Sequence, residues 1–157
     1  VDLAKSIDYT VAIALDAQGR VCRFERFREP WQETLQKVQR LTGRTRAAVD
    51  STGVGDPIVE ALQRAGTGSF SGFKFTSASK QQLMEGLAVA IQQRRIRFPD
   101  GPIRAELDAF EYEYTRTGVR YSAPAGQHDD CVCALALAVS ILPQTLSYPL
   151  GIQVASL

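Results

Sequence analysis

Gly126-Gln127-His128-Asp129-Asp130-Cys131-Val132-Cys133-Ala134-Leu135-Ala136-Leu137-Ala138 is the stretch that decides the fold. Two adjacent carboxylates head a helical run that is small and apolar on nearly every face, and a helix with no polar side must be buried against other elements. Capping and the helix dipole explain one aspartate at such an N-terminus. They explain two less well, because adjacent like charges repel at the mouth of a buried element. A bound cation would relieve that repulsion. The helix runs from Asp129 to Leu142 and Pro143 stops it; interrupted by Ser140, its apolar run falls short of the about eighteen residues of a membrane span.

Upstream of this helix the pattern alternates between strand and helix periods. Tyr9 to Leu15 and Arg20 to Phe27 alternate around Asp16-Ala17-Gln18-Gly19, which predicts a β-hairpin. Pro30 then opens a helix with Trp31, Leu35, Val38 and Leu41 on its apolar face and Gly43 at its end. Arg46 to Asp50 reads as a strand leading into the turn Ser51-Thr52-Gly53-Val54-Gly55, and Pro57 to Ala65 as a second helix. Phe70 to Thr76 reads as a strand, and Ser79 with Gln82 as the capping box of a helix carrying Leu83, Leu87, Ala90 and Ile91. Ile96 to Phe98 is extended, Pro102 to Phe110 helical, and Tyr112 to Tyr121 a second hairpin around Thr117-Gly118. Val1-Asp2-Leu3-Ala4 reads as the end of a strand that begins upstream, as in a chain excised from something longer. A meander followed by alternating strands and helices predicts an α/β domain: a mixed sheet, an antiparallel three-strand meander plus parallel strands, flanked by helices. One domain is expected over residues 1–142, with residues 143–157 as a C-terminal tail.

Within this frame Asp2 interrupts an apolar strand pattern and Asp50 ends another after Ala47-Ala48-Val49. Burying a carboxylate there is costly unless it is paired or metal-bound. Taken singly, Asp50 reads as a turn cap and Asp2 as an exposed terminal residue. Joined by Asp129 and Asp130 they make a set of acids from separate strand and helix ends, the donor type that Mg²⁺ or Mn²⁺ uses. Two such ions about 3.5–4 Å apart activate water and stabilise a leaving oxygen in phosphodiester hydrolysis. His128, the one histidine, reads equally as a group orienting water, phosphate or an aspartate and as a plain loop residue. Asp8 reads as a turn cap before an outer ligand.

The remaining gross properties set limits. The 157 residues can bury a core without disulfides, and 45% apolar with 22% charged residues is ordinary for a folded domain. The three cysteines, Cys22, Cys131 and Cys133, are odd in number and lack metal-ligand spacing, which suggests a reducing compartment. A net charge of +1 speaks weakly against nucleic acid, although acidic ligands offset local arginine groups such as Arg40, Arg44, Arg46 and Arg94, Arg95, Arg97.

The segments Val1-Asp2-Leu3-Ala4, Val49-Asp50-Ser51-Thr52-Gly53-Val54-Gly55, Phe75-Thr76 to Ser79-Lys80, and above all Gly126 to Asp130 running into Ala134–Ala138 resemble the C-terminal nuclease domain of phage large terminase subunits. The resemblance spans roughly residues 1 to 142 and implies a ribonuclease H-like fold of the resolvase type. It further implies an endonuclease that cuts double-stranded viral DNA concatemers during packaging, with two Mg²⁺ or Mn²⁺ ions. By that resemblance Asp2 is shared by both metals, Asp50 is the second ligand, and Asp129 or Asp130 supplies the carboxylate from the last helix. The implied partners are double-stranded DNA, an N-terminal ATPase motor domain of the same full-length protein, the portal and a small terminase subunit, and the implied location is the host cytoplasm, away from membranes. No phosphate loop occurs here, and Gly66-Thr67-Gly68-Ser69-Phe70-Ser71-Gly72 lacks the lysine one would need, so ATP chemistry is expected elsewhere. Two alternatives stay open: a Holliday-junction resolvase or another nuclease of this fold, and a non-catalytic DNA-binding module.

Overall fold

The alternation around residues 16–19 closes as an antiparallel hairpin of β1 (Thr10–Leu15) and β2 (Val21–Phe27). The chain was studied as a computed structural model, which describes residues 1–3, 9–53, 56–65, 68–115 and 118–143. At the hairpin turn the Asp16 carboxylate accepts the Gln18 and Arg20 amides at 2.9 Å each. Gly19 follows with φ +74°, and a Cβ there would stand 2.0 Å from the Arg95 carbonyl oxygen, so only glycine fits.

Residues 1–3 lie on the other side of β1. Asp2 and Val11 exchange both backbone bonds at 2.9 Å, making an antiparallel bridge. Val1 N in turn donates to Ala48 O at 2.6 Å and Asp50 N to Val1 O at 2.9 Å, which is the parallel pattern, with Val1 level with Val49. The partner strand β3 (Arg46–Asp50) pairs in parallel with β4 (Ser69–Phe73). The sheet therefore runs β2, β1, residues 1–3, β3, β4: the expected three-strand meander followed by parallel strands. Arg97 adds one parallel bridge at the free edge of β2.

The two faces of the sheet follow the period of two. Ala47 and Val49 pack with Leu3, Phe27, Val38, Ile58, Leu62 and Phe70, under α1 (Trp31–Thr42) and α2 (Asp56–Ala65). Ala48 points the other way, with Val11 and Ile13, toward α3 (Ser77–Gln92), α4 (Pro102–Ala109) and α5 (Asp130–Ser140). Cys131 to Leu137 in α5 are at most 5% exposed. Its small residues let it lie against β1, β3, α3 and α4 together, as its lack of a polar face requires. Leu135 and Leu137, fully buried, each contribute about 1.5–3 kcal/mol. The second hairpin, β5 (Glu111–Thr115) and β6 (Gly118–Ser122), packs on α3. No helix among the described residues is long and apolar enough to cross a membrane.

Local readings shift in four places. Trp31 is 39% exposed and Thr34, 2% exposed, takes its place on the buried face of α1, its hydroxyl donating to Glu29 O. Ile91 is exposed, and Met84 is buried in its stead. The capping box of α3 lies one turn earlier than read: Thr76 is the N-cap, and Ser79, expected as the cap, is its partner at the third position. The strand expected to reach Thr76 accordingly ends at Phe73. Asp8, Val54, Gly55 and the tail from residue 144 lie outside the described residues.

Candidate metal centre

The sheet register brings Asp2 beside Asp50. With Val1 level with Val49, the next residues pair as Asp2 and Asp50 at the ends of adjacent parallel strands. Paired residues in a sheet share a face, and Ala48 and Val11 identify that face as the one covered by α5. Asp50 is 5% exposed, and its Oδ1 accepts the Thr52 amide at 2.7 Å, the turn contact its sequence suggested.

The N-terminus of α5 brings the other acids. Asp130 is its first residue and 7% exposed. Its Oδ2 lies 3.4 Å from the Tyr9 amide, 3.7 Å from His128 Nδ1 and 4.0 Å from Arg26 Nη2. The His128 ring also meets Tyr9 edge-on, with centroids 5.7 Å apart. Asp129 holds the N-cap position yet makes no side-chain cap bond, contrary to the capping expected from sequence. Its Oδ2 instead accepts Lys80 Nζ at 2.8 Å, from the first turn of α3.

Electrostatics ties the four acids together. Burial first, then the charges of Asp50, Asp130 and, least, Asp129 raise the Asp2 carboxyl well above its ordinary pKa. The Cys133 thiol is also pushed well up, by burial and then by Asp2 and Asp129. Among the described residues no three His, Cys, Asp or Glu side chains close on a single point at ligand distance. Each acid also has protein partners: Asp50 accepts from Thr52, Asp129 accepts from Lys80, and Asp130 lies near Tyr9, His128 and Arg26. The donors are carboxylate oxygens from three separate elements, a set suited to hard divalent cations. An apolar cavity of ≈ 330 Å³ opens at the other end of the sheet, between Leu15, Leu41, Arg46 and Leu142, and none of these acids lines it.

Three residues around the acids were not singled out from sequence. Lys80 follows Ser79 at the start of a helix, but its partner is 49 residues away. Arg26 lies in the β2 alternation and carries no local signal. Glu106 had one: it is three residues past Ile103, on the apolar side of α4, and only 9% exposed.

Known proteins resemble the chain over nearly its whole length. The family model described as the terminase RNaseH-like domain matches residues 1–141. The large terminase subunit of Thermus phage G20c is 33% identical over 88% of this chain, which spans about 30% of that relative's length. The crystal structure of the large terminase nuclease from thermophilic phage G20c superposes with a TM-score of 0.80 at 30% identity, covering 90% of this chain and 80% of that one. Its magnesium-bound form gives 0.73 at 27% identity, covering 87% and 83%, and forms with cobalt and zinc have also been solved. The superposition gives the chain the ribonuclease H-like nuclease fold, and the chain belongs to the terminase RNaseH-like domain family.

Proposed function

We propose that the chain is a metal-dependent endonuclease domain that cleaves double-stranded DNA concatemers during viral genome packaging. The observation that carries this reading is geometric: strand register sets Asp2 beside Asp50 at the ends of adjacent strands, and Asp129 and Asp130 head α5, the helix that covers the same face of the sheet. Held apart by strand register and helix position, these acids keep negative charge at one end of the sheet, where only cations can balance it.

Asp2 and Asp50 would hold one Mg²⁺ or Mn²⁺ ion, and Asp2 with the α5 carboxylate a second. When bound, the pair supplies an activated water and stabilises the leaving oxygen of a phosphodiester. Asp130 is the better candidate for the α5 ligand, because it is the more deeply buried of the two, whereas Asp129 is paired with Lys80. His128 would orient Asp130 through Nδ1, and Lys80 would hold Asp129 and offer positive charge to a nearby phosphate. The DNA, the motor domain of the full-length protein, the portal and the small terminase subunit are the partners this reading entails, in the host cytoplasm.

Crystals soaked in Mn²⁺ test it. Anomalous density between Asp2, Asp50 and Asp130, together with plasmid cleavage that chelator stops, is the expected result. Cleavage that persists in excess chelator would overturn the metal mechanism.

A further inference from the structure

We propose that Glu106 is a positioning residue of this centre, which caps α5 in place of Asp129 and restrains Arg26 beside Asp130; the inference rests on the metal-centre reading above.

The first turn of any helix leaves amide N–H groups without helical acceptors. In α5 the N-cap residue, Asp129, does not satisfy them with its side chain. Glu106, from α4, satisfies one of them from outside: its Oε2 accepts the Cys131 amide at 2.7 Å, in a buried contact. A charged acceptor on a helix N-terminus is among the stronger hydrogen bonds. The cap thus comes from another element, while Asp129 turns to Lys80.

The second oxygen has a different neighbour. Glu106 Oε1 lies 3.3 Å from Arg26 Nη2, and the same nitrogen is 4.0 Å from Asp130 Oδ2, beyond hydrogen-bond reach. The guanidinium also lies over the Tyr9 ring, 4.1 Å from its centroid. Arg26 is therefore placed between two buried acids and closer to Glu106. Both Glu106 Oε1 and Arg26 Nε are buried without a hydrogen bond. Packing stability alone favours apolar replacements over an ion pair left incomplete in this way. The arrangement is accounted for if Glu106 serves Asp130, by fixing the end of α5 and keeping Arg26 from closing on the carboxylate that would take the metal.

The test compares wild type, Glu106→Gln, Glu106→Ala and Glu106→Gln/Arg26→Met. It reads Mn²⁺ affinity by calorimetry, Cys131 amide exchange by NMR, and melting temperature. Glu106→Gln keeps an acceptor for Cys131 but loses the charge that holds Arg26. It is expected to retain Cys131 protection and to bind Mn²⁺ about tenfold more weakly, within the range for residues that orient metal ligands. Adding Arg26→Met removes the competing guanidinium and is expected to recover most of that affinity. Glu106→Ala is expected to lose Cys131 protection as well. Wild-type Mn²⁺ affinity in Glu106→Gln, whatever its melting temperature, overturns the restraint; wild-type Cys131 protection in Glu106→Ala overturns the cap. A wild-type chain that takes up no Mn²⁺ overturns the metal-centre reading instead, and the cap is then judged on Cys131 exchange alone.

Discussion

Lys80 Nζ donates to Asp129 Oδ2 at 2.8 Å, so the two neighbouring aspartates at the head of α5 have different partners. Asp130, one residue on, faces Tyr9, His128 and Arg26 and is the more deeply buried of the two. Asp129 is the N-cap, with non-helical backbone, and Asp130 the first helical residue, so the two side chains leave the chain in different directions and take separate roles.

Cleavage rates should separate those roles. Asp130→Asn is expected to lose more than about a hundredfold in plasmid cleavage at saturating Mn²⁺, as a direct ligand would. Asp129→Asn should stay within the about ten- to hundredfold loss of a group acting through another. Equal losses in the two variants would show that this division is wrong.

The Lys80–Asp129 pair is about a quarter exposed on each side. Lys80→Met should therefore lower stability by about 1 kcal/mol, the upper end for such pairs. Urea denaturation in chelator would measure it. Added Mn²⁺ should shrink the deficit, because a cation then shares the charge that Lys80 balanced.

The raised carboxyl of Asp2 makes stability depend on pH in a defined direction. Its folded-state pKa lies well above the ordinary 3.8, through burial first and then Asp50, Asp130 and Asp129. The folded state thus binds more protons than the unfolded state, and stability falls as pH rises above about 4. In chelator, Asp2→Asn should flatten that fall and melt higher than wild type near neutral pH, while cleavage is lost. A variant that melts lower than wild type at neutral pH would contradict this account of a carboxylate opposed by burial and like charge.

Gly19→Ala should destabilise the domain by about 1–3 kcal/mol, the range for a residue forced into strained backbone. The positive φ and the Arg95 carbonyl at 2.0 Å from the added Cβ both oppose it. Wild-type denaturation would mean that the turn relaxes away from residue 95.

Elements whose reading rests on short periods were legible without tertiary information. The β1–β2 hairpin needed only alternation and the Asp16 to Gly19 turn, and α5 only its run of small apolar residues. Local rules failed where a side chain answered to a distant neighbour. Trp31 matched the helical period, but the surface that α1 offers its neighbours is centred on Thr34 and Val38. Ser79 matched a cap, but Thr76 lies one turn earlier and the two hydroxyls serve each other's amides. Asp129 matched a cap as well, and a buried glutamate from another helix holds the amide of Cys131.

By itself, then, the sequence determined which residues form strands and helices, that α5 must be buried, and that acids occur at the ends of three such elements. Those facts follow from side-chain chemistry repeated over a few residues. The tertiary structure alone decided which acids meet. Asp2 stands beside Asp50 because Val1 pairs with Val49, and Asp129 departs from Asp130 because α3 offers Lys80. Strand register and helix docking are set by the packing of whole faces, over separations of tens of residues that no local period records.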